Sequence, residues 1–539
     1  MGECEARAAV GLAPGAIAEQ ARAHTSARAF CATLSPLVPA YFNLGDYHDA
    51  AHADRVALID CLDWKHPREV SHGEMDRLAR AVARGLVRQG LKRGDAVAIL
   101  SANRTEFLAA YFGIMRAGMV AVPVNYKFPR ETIEFVLSDS DTKLAFCDRE
   151  RRSVLPGALP AVEFDGEWAS FLNPGAFETV VPDPGEAAMV LYTSGSTGRP
   201  KGVSLSHQGH LWAVESRLRA GASFVAERLI IAAPLFHMNA LGTSKFIFAA
   251  QASMVLLPQF DAKRYIASIS LFGVTWLTSV PTMLAMVVRE KEALSRTDLS
   301  RVRYVRMGSA PASAKLIEDI RRLFPNAVVS NAYGTTEAGP VVFGPHPDGK
   351  PKDDLALGWP MPEVDVKLVG SDGREADEGV LWQRTPANMN GYLNLPEKTR
   401  EVLTGDGWYI SGDVFRRDAN GAYSFVGRDD DMFNCGGENI YPGEIEQMLE
   451  KHPDILQACV VPVPDEIKGE KPVAFVVLRG ESKLTEDDVK QYALTHAPAY
   501  QHPRRVNFLN ELPLASTNKV DRKGLRVLAL EQGRQPSQA

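Results

Sequence analysis

A chain of 539 residues is long for a single hydrophobic core and implies several domains. With 23% charged and 45% hydrophobic residues it has a globular composition, and a net charge of -6 without a long basic run argues against a nucleic-acid binder. Six scattered cysteines (Cys4, Cys31, Cys61, Cys147, Cys435, Cys459), none at C-x-x-C spacing, argue against structural zinc and a disulfide framework and fit a reducing cytoplasm.

The start, Met1 to Glu5, lacks the basic opening and apolar core of a secretory signal. The most apolar stretches, 229–236 and 246–257, fall short of the roughly 20 residues that span a bilayer. Leu78, Ala79, Val82, Ala83 and Leu86 recur at helical spacing and predict a helix ending near Gly90. Residues 96–100 read as a strand, 105–116 as a helix and 119–124 as a strand, which is a βαβ unit; a helix at 131–137 and a strand at 144–147 extend it.

A short apolar strand, 187–190, leads into Leu191-Tyr192-Thr193-Ser194-Gly195-Ser196-Thr197-Gly198-Arg199-Pro200-Lys201-Gly202-Val203. Glycines let the backbone turn N–H groups toward an anion, while the hydroxyls add donors and Lys201 adds a mobile charge. The loop is built to hold phosphate. It is not a Walker A sequence, because Lys201 is followed by Gly202 where that motif places Ser or Thr for magnesium. A flexible Gly/Ser linker would explain the glycines but not the preceding strand or the Pro-Lys-Gly close.

The α/β alternation resumes with helices at 262–269, 282–289 and 312–323 and strands at 274–279, 302–307 and 327–330. Open α/β sheets bind ligands beyond the C-terminal ends of their strands, and the polar loops 193–201, 308–311 and 331–337 follow such ends. They can converge on one ligand. After Leu357 short alternating segments predict a small antiparallel unit, ending at 405–427 with the hairpin signal Asn420-Gly421. A helix at 442–450, strands at 458–463 and 473–478 and a helix at 486–495 suffice for a separate α+β domain, and the polar tail from Gln532 reads as disordered. There is no internal repeat.

Further motifs follow in order: Pro234-Leu235-Phe236-His237, Tyr333-Gly334-Thr335-Thr336-Glu337, Ser411-Gly412-Asp413, Gly427-Arg428-Asp429-Asp430-Asp431, Gly436-Gly437-Glu438-Asn439 and Thr517-Asn518-Lys519. On these, from about Val70 to Leu525, the chain resembles the adenylate-forming superfamily, which includes acyl- and aryl-CoA ligases, luciferases and peptide-synthetase adenylation domains. The resemblance implies an α/β fold: a large N-terminal domain, 1–429, of two doubly wound sheets plus a small distorted β-barrel, then a small mobile α+β domain, 430–539, hinged at Asp430. It implies an ATP-dependent acid:CoA ligase that forms an acyl-adenylate and then a thioester, using ATP, Mg2+ and coenzyme A.

The first half of that chemistry brings two anions together, and unit charges about 4 Å apart repel by about 4 kcal/mol at an effective dielectric of 20. Positive groups are therefore obligatory. By the resemblance, Lys201 with Thr193, Ser194, Gly195, Ser196, Thr197 and Gly198 holds the β- and γ-phosphates, Glu337 brings in Mg2+, and Thr336 donates to the α-phosphate. Tyr333 offers a face to adenine, Asn331 reads its amino edge, and Ser309, Ala310, Pro311, Ala332, Gly334 and Thr335 complete the nucleotide set. Asp413 suits the ribose diol and Arg428 donates to the same sugar; a solvated hairpin is the plain alternative for both. Lys519 reaches in from the small domain to bridge substrate carboxylate and α-phosphate, although without the motif it would pass for one more surface lysine.

After rotation about Asp430, Gly436 and Gly437 would line a narrow pantetheine channel, and Cys435 beside them reads as a packing residue. His237 is placed between acyl pocket and thiol channel. Phe236-His237-Met238 lacks the aspartate that holds an α-ammonium in amino-acid adenylation domains, which disfavours an amino-acid substrate. The other pocket candidates, Met238, Asn239, Thr243, Gly308, Gly334, Ala338, Gly339, Pro340 and Val341, are mostly small or apolar, and 338–341 match hydroxycinnamate-CoA ligases. The expected substrate is an aromatic, alicyclic or medium-to-long aliphatic acid. The acceptor is CoA or, in the alternative reading, a carrier protein; no nucleic acid and no membrane span are expected. A nucleotide-binding regulator on an inactive scaffold is disfavoured by the presence of Lys201, Glu337, Asp413 and Lys519 together.

Overall fold

Strands of unbroken apolar residues, such as Ala96–Leu100 and Ser253–Leu256, are buried along their whole length and require cover on both faces. The computed structural model describes residues 41–193, 199–219, 223–435, 438–480, 482–515 and 519–534, and among these it builds two seven-stranded sheets. The first runs Val328–Ala332, Tyr304–Gly308, Trp276–Ser279, Arg228–Ile231, Ser253–Leu256, Val56–Asp60 and Arg68–Ser71, parallel except for the last pair. The second runs Gly391–Tyr392, Lys201–Ser206, Ala187–Thr193, Val120–Pro123, Ala96–Leu100, Thr142–Cys147 and Ala161–Glu163, antiparallel only across its first two pairings.

One core cluster joins residues of both sheets to the helices His72–Arg88, Thr105–Arg116, His207–Leu218 and Met238–Ala249, so these helices lie between the sheets. Thr105–Arg116 follows the expected span and is so enclosed that Arg116 is buried, held by Asp46 at 2.8 Å and Asp76 at 2.7 Å. His207–Leu218 and Met238–Ala249 have no counterpart in the sequence reading. Every residue of the latter except Asn239 is buried, and burial all round removes the polar face that makes a helical period visible. Lys201, assigned to the phosphate loop, opens a strand that pairs with Ala187–Thr193 in the register Thr193 to Lys201.

The expected antiparallel unit is a four-stranded sheet, Asp365–Val369, Glu378–Arg384, Tyr409–Arg417 and Tyr423–Arg428. A Gly358–Tyr423 bridge ties it to the pair Phe343–Gly344 and Trp359–Pro360, and Gly421 (φ 82°) turns the predicted hairpin. Beyond it, Phe433–Cys435, Glu438–Ile440, Ile455–Asp465, Gly469–Leu478 and Arg505–Phe508 form a sheet with the helices Pro442–Leu449 and Glu486–His496. Two core clusters are made wholly of residues from 433 onward, and Cys435 packs into one of them. The tail expectation is corrected: the helix Arg522–Arg534 runs past Gln532, anchored by Leu525 and Ala529 in the second cluster.

One buried charge in the inter-sheet layer makes a test of the core. Lys245 is 1% exposed; its Nζ lies 3.3 Å from His210 Nδ1, with no carboxylate paired to it among the described residues. Burial pulls its ammonium down to about 7 from the ordinary 10.5. The unfolded chain therefore binds this proton more tightly than the folded one, so stability suffers fully below about pH 7 and recovers as pH rises toward 10.5. Lys245→Met, similar in volume, is expected to stabilise the fold by about 2–4 kcal/mol at pH 6 and by clearly less at pH 9. Equal gains in denaturant melts at both pH values would exclude a buried titrating amine.

Candidate active site

Three strand ends and the antiparallel hairpin meet at one cleft. Gly308 and Ala332 end neighbouring strands in register, which brings Ser309, Ala310 and Pro311 beside the segment that begins at Tyr333. Ser309 takes a left-handed backbone (φ 67°), a conformation a non-glycine residue holds only where its surroundings enforce it, and its Oγ accepts from Asn239 Nδ2 at 3.1 Å. The next segment closes on itself: Thr335 bridges Gly339, Ala338 N–H donates to Thr335 Oγ1 at 3.0 Å, and Thr336 and Glu337 ride on the turn between them. Gly334 is required there, since a Cβ would meet Gly339 O at 2.6 Å and Pro340 Cα at 2.7 Å.

Asp413 and Arg428 face each other across the Tyr409–Arg417 and Tyr423–Arg428 strands, with Arg428 Nη1 3.2 Å from Asp413 Oδ1. Gly412, at φ 69°, lets the strand bend just before Asp413. The Tyr333 hydroxyl donates to Asp413 Oδ2, and the Tyr333 ring packs edge-on against Phe415 at 4.9 Å. Burial raises the Asp413 pKa although Arg428 pulls it down, and burial with the Asp413 charge holds the Tyr333 phenol well above its ordinary value. Arg428 also forks onto Asp430 at 2.9 and 3.1 Å. Burial would raise the Asp430 pKa, but that pair, helped by Lys201, holds it below the ordinary value.

Glu337 accepts from the Tyr392 hydroxyl at 3.1 Å, and Lys201 Nζ stands 4.3 Å from the centre of the Tyr392 ring. Tyr392 thus joins the phosphate-loop lysine to the predicted metal carboxylate, and nothing in its sequence neighbourhood singled it out. Among the described residues no group of three or more His, Cys, Asp or Glu could hold a metal alone. One carboxylate nevertheless fits Mg2+, which keeps phosphate oxygens and water as its other ligands. Asn331 Oδ1 is buried without a partner among the described residues, an acceptor suited to an exocyclic amine.

Lys519 sits on the turn before the Arg522–Arg534 helix, with Ala515 N–H donating to Lys519 O at 2.7 Å and Arg522 pinned to Glu446 at 2.5 Å. Its side chain is exposed and near enough to Asp413, Arg428 and Glu337 to feel their charges. The protein around it lowers the ammonium pKa, Asp413 and Glu337 pull it up, and Arg428 pulls it down. His237 feels the Lys519 charge from the other side; burial first, then Lys519 and Lys127, drive its imidazole down to about 3, so it is neutral at physiological pH. His237 Nε2 is buried with no partner among the described residues.

Met238, Ala338, Gly339 and Val341 are buried, and the buried Thr243 Oγ1 has no partner among the described residues. Gly242, one helical turn from Met238, faces Met238 Sδ and Pro340 Cγ, each 3.9 Å from where its Cβ would be. Arg217, whose Nη1 donates to Gly242 O at 3.3 Å, was absent from the sequence reading, which saw only small and apolar candidates. The predicted Ser194, Gly195, Ser196, Thr197, Gly198, Gly436 and Gly437 lie outside the described residues, as do Thr517 and Asn518.

Known proteins share this fold. Residues 46–393 match the family of AMP-binding enzymes and residues 444–519 the AMP-binding enzyme C-terminal domain. The chain is 31% identical to 4-coumarate--CoA ligase 5 of Oryza sativa subsp. japonica, over 91% of this chain and 95% of that one. It is 32% identical to the fatty acid--[acyl-carrier-protein] ligase ScoC of Streptomyces coeruleorubidus, over 85% and 91%. The crystal structure of the anthranilate CoA ligase AuaEII with anthranoyl-AMP superposes with a TM-score of 0.83 at 26% identity, covering 92% of this chain and 99% of that one. The chain belongs to the AMP-binding enzyme family of the adenylate-forming superfamily. It is an AMP-forming acid–thiol ligase, of a family that uses ATP, Mg2+ and CoA. No helix among the described residues is long and apolar enough to cross a membrane.

Proposed function

We propose that the protein joins a carboxylic acid with an apolar body to free CoA, with a large domain 1–429 and a small domain 430–539 turning about Asp430. The observation that carries this reading is Lys519, from the last part of the chain, placed where the charges of Asp413 and Glu337 act on it and its own charge acts on His237. In the first step a carboxylate oxygen bonds to the α-phosphorus of ATP while the bond to the β-phosphate oxygen breaks and pyrophosphate leaves. Lys519 screens the two anions from each other, Thr336 donates to the α-phosphate, and Lys201 draws charge toward the leaving phosphates with Thr193 and the loop after it. Mg2+, held by Glu337, would neutralise phosphate charge. Asp413 takes the ribose diol, Arg428 orients Asp413, and Tyr333 and Asn331 hold the base.

In the second step the thiol sulfur bonds to the acyl carbon, the bond to the AMP oxygen breaks, and the thiol proton passes to solvent. Gly436 and Gly437 would leave room for pantetheine, and neutral His237 would stand between the acyl pocket and the thiol channel. The test is AMP release with ATP, Mg2+ and CoA across aryl, alicyclic and fatty acids. Acyl-CoA, AMP and pyrophosphate in equal amounts are expected from at least one acid. The ScoC likeness favours one competing outcome: if a phosphopantetheinylated carrier protein is acylated while CoA yields only acyl-adenylate, the CoA assignment is wrong.

A further inference from the structure

One buried tyrosine touches both charged groups assigned to the phosphate end of the site. Tyr392 donates its hydroxyl proton to Glu337 Oε1 at 3.1 Å, while the centre of its ring lies 4.3 Å from Lys201 Nζ. Among the described residues neither Lys201 nor Glu337 has an ion-pair partner within 4.0 Å. An ammonium and a carboxylate thus share one side chain without pairing with each other.

Main-chain bonds fix the tyrosine in that place. The strand Gly391–Tyr392 runs antiparallel to Lys201–Ser206, with Tyr392 opposite Val203, and Leu393 N–H donates to Gly202 O at 2.7 Å. Tyr392 N–H donates to Thr399 Oγ1 at 2.9 Å, and a Cβ at residue 391 would stand 3.0 Å from Thr399 Cγ2, so Gly391 (φ 140°) is required. At the other end Met389 N–H donates to Glu337 O at 2.7 Å. Residues 389–393 therefore hold both the backbone of Glu337 and the strand that Lys201 opens, with the Tyr392 side chain in contact with both charged tips.

Opposite charges a few ångström apart in a half-enclosed site attract strongly, and a direct Lys201–Glu337 pair would have to be broken each time phosphate and metal arrived. A cation over an aromatic ring and a carboxylate on a phenol are more easily exchanged, because each charge is left uncancelled for a stronger ligand. We propose that Tyr392 is a positioning residue for adenylation, holding Lys201 and Glu337 apart so that the lysine stays open to phosphate and the carboxylate to Mg2+. This rests on the assignment of those two residues in the ligase reading above. The hydroxyl orients the carboxylate and the ring supports the ammonium; neither part of the tyrosine reacts.

The test separates the two parts. Tyr392→Phe keeps the ring and loses the hydroxyl, so the Mg2+ concentration for half-maximal pyrophosphate release should rise about tenfold, with the rate at saturating Mg2+ within about threefold of the parent. Tyr392→Leu loses both, and calorimetry with ATP alone, without acid or Mg2+, should show binding weakened about tenfold as Lys201 turns to Glu337. Glu337→Gln identifies the cause: it should strengthen metal-free ATP binding about tenfold more in the Tyr392→Leu background than in the parent. A tyrosine that only filled space would give the same gain in both backgrounds. The phenylalanine variant is nearly isosteric and should melt with the parent, so its Mg2+ shift decides even where the leucine variant fails to fold. An unchanged Mg2+ requirement in Tyr392→Phe, or equal gains from Glu337→Gln in both backgrounds, overturns the positioning role and leaves the ligase standing. If Mg2+ strengthens ATP binding equally in the parent and in Glu337→Gln, the assignment of Glu337 to the metal is wrong and this role falls with it.

Discussion

Lys519→Ala is expected to slow pyrophosphate release from acid and ATP by about a thousandfold, about 4 kcal/mol in the barrier, while thioester formation from preformed acyl-adenylate changes little. The reason lies in what surrounds the side chain. Asp413 and Glu337 raise its proton affinity, His237 opposite is neutral, and Arg428 is occupied by Asp413 and Asp430. Lys519 is therefore a cation free to sit between two incoming anions. The second half-reaction has no phosphate–carboxylate repulsion to relieve. Both half-reactions should be measured on one purified preparation, with melting confirming the fold; an exposed side chain leaves stability within about 0.5 kcal/mol. Normal adenylation would make Lys519 a surface lysine. Collapse of both halves in an intact fold would sink the idea that it serves only the first.

The parts of this fold that were legible in the sequence are apolar segments of helix or strand length bounded by turn signals, even where, as at 96–100 and 105–116, they are buried all round. Helix 105–116, the strands 96–100 and 187–190 and the hairpin at Asn420-Gly421 follow from apolar spacing and turn chemistry. Met238–Ala249 did not, because its apolar run continues through Ala250-Gln251-Ala252 into the strand Ser253–Leu256 with no glycine such as Gly118 to mark its end. The candidate nucleotide site was read through motif order, which pointed to Asp413, Arg428 and Lys519 across long separations, and these three do come together; spacing alone would have left each as an ordinary surface charge. Tyr392 belongs to no motif and reaches Glu337 only because its two-residue strand pairs with Lys201–Ser206. Arg217 was hidden for a related reason: a charge on a helix reads as a solvated face until the layer against it, here Phe246 and Gly242, is known.

Asp430→Pro is expected to keep adenylation within a few-fold of the parent and to cut thioester formation by about a hundredfold, about 2.7 kcal/mol. Proline fixes φ near −65°, so it hinders backbone rotation at that residue while tolerating one arrangement of the two domains. The present arrangement does not need the Asp430 N–H: Asp429 N–H bonds to Gly412 O and Asp431 N–H to Arg428 O, but among the described residues no main-chain carbonyl receives Asp430. Rotation would have to release Arg479 from Asp319, now 2.9 Å apart, and Arg416 from Glu444 at 3.6 Å, as well as withdraw Lys519. The Arg416–Glu444 pair is part-exposed and worth at most about 1 kcal/mol, and the buried Asp319 keeps Lys315 and Arg322 at 3.3 Å when Arg479 leaves, so the pairs hold the domains without locking them. Because the substitution also removes the fork onto Arg428, Asp430→Ala serves as the control. Arg428 keeps Asp413, so the alanine variant should run both half-reactions within a few-fold of the parent. Loss of thioester formation in the proline variant alone supports a turn at residue 430; normal activity in both halves of that variant would place the hinge elsewhere or remove the need for one.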